Sequence, residues 1–62
     1  MSMTPKEMIS LLESNGFIEA RQNGSHKFFV KKETNRRTTV PYHSKNLGIG
    51  LERAILKQAG LK

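Results

Sequence analysis

Residues 23–32 read NGSHKFFVKK, a single histidine set among lysines and aromatic rings. An imidazole titrates near neutrality, so it can take the proton from a ribose 2′-hydroxyl while nearby lysines and arginines stabilise charge building on the phosphate. Attack of the 2′-oxygen on its own phosphate needs neither a metal nor a deep pocket, which suits a chain of 62 residues. A histidine opening a strand just after a turn is as readily a plain surface residue, or one satisfied by a nearby carbonyl. Residue types alone leave both readings of His26 open.

Competing chemistries are poorly supplied. His26 and His43, with no cysteine in the chain, make a weak metal pair, and five glutamates with no aspartate offer no acidic cluster for two-metal chemistry. Ser25 falls on the opposite face from His26 if the strand is already regular there, which counts against a Ser-His pair. Gly48-Ile49-Gly50 opens a helix and follows no strand, so it is a weak nucleotide loop. Tyr42 and His43 lie just past a strand, where such residues more often pack a helix entry than flank a site.

The charge narrows the partners. Eleven Lys and Arg oppose five acidic residues for a net +6, and the excess is uneven: Arg21, Lys27, Lys31, Lys32, Arg36 and Arg37 face only Glu33. Such a stripe attracts nucleic acid, an anionic membrane surface or an acidic protein, against the plain alternative of a solvated surface. Residues 1–62 are expected to form one domain, near the lower size limit for a single core and too small for a deep-clefted multidomain enzyme. The absence of cysteine removes disulfides and is compatible with a reducing compartment. The N-terminal residues lack a signal-peptide apolar region, and no apolar run approaches the roughly 20 residues of a membrane span. A cytoplasmic protein with no membrane partner is expected.

The elements that must position His26 can be read from both ends. Thr4 as N-cap, Pro5 in the first turn and Glu7 at capping-box spacing open a helix over about residues 5–15, with Met8, Leu11 and Leu12 on its apolar face. Gly16 and Phe17 supply a left-handed stop. The period then falls to two: FIEAR, an Asn23-Gly24 hairpin signal, HKFFVK, a polar turn with Asn35 suited to positive φ, and RTTV ended by Pro41. A closing helix begins between Leu47 and Leu51, capped by Ser44 or Asn46, with Leu51, Ala54, Ile55 and Ala59 as its apolar stripe and Leu56 at the edge. Gly60-Leu61 repeats the first helix's stop. The order predicts an α+β fold, an α-β-β-β-α two-layer sandwich with two helices covering one face of a meander and the other face left open. Alternation sets His26, Phe28 and Val30 on one face and Lys27, Phe29 and Lys31 on the other. Either phenylalanine could be the core residue.

In this order and within so short a chain, Gly16-Phe17, RQNGSHKFF at 21–29, TVPYH at 39–43 and ILKQAGL at 55–61 resemble the HicA family of messenger-RNA interferase toxins. The resemblance runs from Thr4 to Leu61 and departs at Gly48-Ile49-Gly50, where the family usually shows Gly-Thr, so a threonine cap is missing. It implies a fold similar to a double-stranded-RNA-binding domain, ribonuclease activity with His26 essential, translation arrest, and neutralisation by a HicB-type antitoxin; no cofactor is expected. It also implies Phe29 in the core and His26 exposed.

On this reading His26 is the general base, or the general acid on the leaving 5′-oxygen, in cleavage of mRNA assisted by the 2′-hydroxyl. Lys27, Lys31, Arg36 and Arg37 are candidate phosphate ligands, Phe28 a surface for base stacking, and Ser25 and His43 auxiliary candidates. The alternative is a non-catalytic RNA-binding module of the same fold.

Overall fold

A computed structural model describes residues 2–43 and 45–61. The chain forms α1 (Pro5–Ser14), β1 (Ile18–Asn23), β2 (His26–Lys31), β3 (Arg36–Pro41) and α2 (Ile49–Gln58). The strands pair antiparallel in the order β1-β2-β3, so the expected α-β-β-β-α arrangement is the one formed, similar to a double-stranded-RNA-binding domain.

Local signals set the element ends. Thr4 Oγ1 accepts from the Glu7 N–H at 3.2 Å and Glu7 Oε1 accepts from the Thr4 N–H at 2.9 Å, a complete capping box. At the other end Gly16 takes φ +90°, and the Phe17 N–H donates to the Leu12 carbonyl at 3.0 Å. This Schellman closure turns Phe17 straight down into the core. The same bond recurs from the Leu61 N–H to the Leu56 carbonyl, ending α2.

The hairpin corner falls one residue later than the Asn-Gly signal suggests. Asn23 pairs with His26, leaving Gly24 and Ser25 as the two-residue turn. Gly24 has φ +62° and Ser25 does not share that sign, the arrangement of a type II′ corner with glycine first. His26 is therefore the first paired residue of β2, flanked by Asn23 on one side and Pro41 on the other. Asn35 adopts the anticipated positive φ, +57°, in the β2–β3 turn.

The core settles which phenylalanine goes inside. Phe29 is 1 % exposed and packs with Met8, Leu12, Phe17, Val40, Leu47, Ile55, Leu56 and Ala59, while Phe28 on the opposite face is half-buried. The expected stripe of α2 needs correction. Ile55, Leu56 and Ala59 are buried, but Leu51 and Ala54 are exposed. The helix packs on the edge strand β3, so its buried arc is narrow and the Leu51–Ala54 side looks along that edge toward the open face. The cap expected at Asn46 is also absent. Gly48 is the N-cap and has no side-chain cap bond, and the Ser44 alternative lies outside the described residues. The N-terminal arm ties this end down instead. The Leu47 N–H donates to the Met3 carbonyl at 2.8 Å, the Gly48 N–H to Ser2 Oγ at 3.1 Å, and the Met3 N–H to Glu52 Oε1. Tertiary bonds thus hold a helix start that its own sequence leaves uncapped.

Candidate active site

Strand alternation and the hairpin corner together decide what surrounds His26. It opens β2 on the face away from the helices and is exposed. Beside it runs a groove lined by Thr39 and Pro41 of β3 and by Leu51, Ala54, Ile55 and Gln58 of α2. One wall of this groove carries Leu51 and Ala54, apolar residues of α2 that the core left out, beside buried Ile55. Next to it is a wider depression lined by Arg21, Phe28, Val30, Arg37 and Thr38. Thr39 and Gln58 border both hollows, so the two adjoin.

In that second depression the Arg21 guanidinium lies over the Phe28 ring at 4.7 Å from its centroid, a cation–π contact that stiffens both side chains. Arg21 reaches it because the β1–β2 register sets Arg21 opposite Phe28. A bulge between Glu19 and Arg21 then takes up one residue. Arg37, paired with Val30, adds a second positive charge on this face. Phe28 and His26 are two residues apart on one strand face, about 7 Å along the strand.

The other candidates separate. Lys27 is on the helix-covered face, where its Nζ is 3.5 Å from Glu19 Oε1 and 4.6 Å above the Tyr42 ring. Lys31 lies at the far end of β2, its stem running over Gly16. Arg36 is spent on the end of α2: its Nη1 donates to the Gln58 carbonyl at 3.4 Å and its guanidinium covers Gly60, where a cation suits the helix's carbonyl terminus. Of the four proposed phosphate ligands, only Arg37 shares the open face with His26 and Phe28. Ser25 occupies the hairpin corner, where its carbonyl accepts from the Tyr42 N–H. His43 lines a different hollow, with Thr4, Pro5, Lys6 and Tyr42, and its Nδ1 accepts from the Lys45 N–H at 3.2 Å. His43 therefore lies apart from His26, whereas Ser25 adjoins it at the hairpin corner.

Arg21 and Gln58, which line these hollows, were not singled out from sequence. Arg21 could have been found by counting back from a Gly24-Ser25 corner, which sets it across from Phe28. An Asn23-Gly24 corner shifts every partner by two residues, sets Arg21 across from His26 instead, and hides the pair. Gln58 belongs to the closing motif, but nothing in the linear sequence links it to β3. Among the described residues no group of three His, Cys, Asp or Glu side chains could hold a metal ion, and no helix is long and apolar enough to cross a membrane.

The open face thus carries a solvent-accessible imidazole, an arginine-backed aromatic platform and a further arginine. No curated protein matches the chain at a significant level. The family model described as the HicA toxin of bacterial toxin-antitoxin systems does match, over residues 5–61. That covers nearly every residue that builds the fold and the open face, and the chain belongs to the HicA toxin family.

Proposed function

We propose that this protein is an endoribonuclease that cleaves mRNA with His26 as its one catalytic side chain. The supporting observation is that His26 stands exposed on the same sheet face as Arg21, Phe28 and Arg37, while the lysines of the same strand turn to the other side. A single strand of RNA lying along this face puts a base against the Arg21–Phe28 pair, with a guanidinium plane and a ring both suited to stacking. Arg37 then neutralises backbone phosphate. The His26 imidazole takes the 2′-hydroxyl proton, the 2′-oxygen bonds to phosphorus, and the bond from phosphorus to the 5′-oxygen breaks. The leaving oxygen is protonated by water, which the open groove admits, and the products are a 2′,3′-cyclic phosphate and a 5′-hydroxyl. General base catalysis of this kind contributes about 10²–10⁴-fold.

A family member of this kind has an antitoxin partner. In this reading the partner is a HicB-type antitoxin that blocks the open face, the target is cytoplasmic mRNA, and the consequence of cleavage is arrested translation.

The test is RNA cleavage in EDTA by the wild type and by His26→Ala at equal folded concentration. Wild-type cleavage that yields cyclic phosphate ends and drops at least about 100-fold in the variant is the expected result. Equal cleavage by both would remove His26 from the mechanism. RNA binding without cleavage by either would leave the non-catalytic RNA-binding module.

A further inference from the structure

Gln58 sits where the His26 groove and the Phe28 depression meet and borders both. It is the last residue of α2, and its backbone and side chain are both held there. Its backbone carbonyl accepts from Arg36 Nη1 at 3.4 Å. Its side-chain Oε1 accepts from Thr38 Oγ1 at 2.9 Å. Thr38 itself is 4 % exposed, so this hydroxyl has no bulk water to turn to, and the bond to Gln58 satisfies it. With Oε1 committed to Thr38, the Nε2 amine is the end of the carboxamide left to donate elsewhere, on a side chain that lines both hollows. Such an amine is a free hydrogen-bond donor on a residue that shares a hollow with Arg21 and Phe28, the platform on which a base would stack.

We propose that Gln58 is a specificity-determining residue, whose Nε2 donates to the keto oxygen of the base stacked on the Arg21–Phe28 platform. Uracil O4 and guanine O6 accept such a bond. Cytosine N4 and adenine N6 present amino donors at the corresponding place, and leave the Gln58 amine facing another donor. Thr38 is the positioning residue, because it selects which end of the carboxamide faces the RNA. This inference rests on RNA lying along the open face as proposed above, and adds which bases are accepted next to His26.

The decisive variant is Gln58→Glu. A carboxylate oxygen still accepts from the Thr38 hydroxyl, so the buried bond is kept while the amine donor becomes an acceptor. Binding is read in a His26→Ala background, using single-stranded oligouridine and oligocytidine of equal length at one salt concentration. The protein with Gln58 intact is expected to favour oligouridine by about two- to tenfold, the range of one hydrogen bond, and Gln58→Glu to bring that ratio to one or below. Thr38→Val, which frees the carboxamide to rotate, is expected to shrink the preference without reversing it. Binding of both oligomers with the same ratio in the parent and in Gln58→Glu would overturn the assignment and leave the nuclease reading standing. Failure of the parent to bind either oligomer would overturn both.

Discussion

Residues 26–31, HKFFVK, put two regions of the molecule side by side on one strand. On the helix-covered face, Phe29 is 1 % exposed and the charged groups around it are engaged by the fold. Lys27 meets Glu19 and Tyr42, Lys31 covers Gly16, and neighbouring Arg36 holds the end of α2. On the open face, Phe28 carries Arg21 over its ring and shares the surface with Arg37 and His26. Adjacent residues of identical or similar type thus do different work. A net charge of +6 overstates what RNA would meet near the histidine, because part of it lies on the side that packs. What matters at the site is the subset of cations that alternation and register bring to the open face.

The two phenylalanines give the largest contrast. Phe29→Ala removes a buried ring from the centre of a small core and is expected to cost about 3–5 kcal/mol, against a total stability of about 5–15 kcal/mol for a typical domain. Thermal unfolding should show the midpoint fall steeply or the cooperative transition disappear. Phe28→Ala should leave the transition nearly in place, since the ring is half-buried. Its loss should appear in single-stranded RNA affinity, weakened by about 1–3 kcal/mol for a stacked base. If the two variants lost stability equally, the division of the strand into a packing face and a binding face would be wrong.

Much of this division is legible in the sequence. The capping box at Thr4 and Glu7, the stop at Gly16 and the positive φ of Asn35 depend on residues within a few positions of each other, and all three form. Period-two alternation separates His26 and Phe28 from Lys27 and Phe29, but which face meets the helices comes from the family resemblance, because both faces carry an aromatic ring. The features that stay hidden are tertiary. The start of α2 is held by Ser2 and Met3, with Ser2 46 residues from the Gly48 it bonds, and no local cap signal reports that. The exposure of Leu51 and Ala54 follows from α2 packing on the edge strand, which helical periodicity cannot distinguish from packing on the middle of the sheet. Arg36 and Arg37 are neighbours with the same side chain, and only the register shows that one grips the end of α2 while the other reaches the open face. The place of Gln58 at the site depends on its bond to Thr38, 20 residues back in the chain.

A smaller effect sharpens the comparison to single charges. Each phosphate neutralised by a lysine or arginine contributes about −0.7 to the slope of log affinity against log salt for a single strand. Arg37→Gln is therefore expected to make the slope for single-stranded RNA shallower by about that amount, uniformly across base composition, since a phosphate contact carries no base information. Lys31→Gln removes the same formal charge from the covered face at the far end of β2, and should leave the slope almost unchanged. Both substitutions lower the net charge equally, so an RNA surface that sensed only overall charge would respond to them alike. Equal slopes in the two variants would mean that RNA wraps both faces, and the site would then have to include the lysines that the fold turns away from His26.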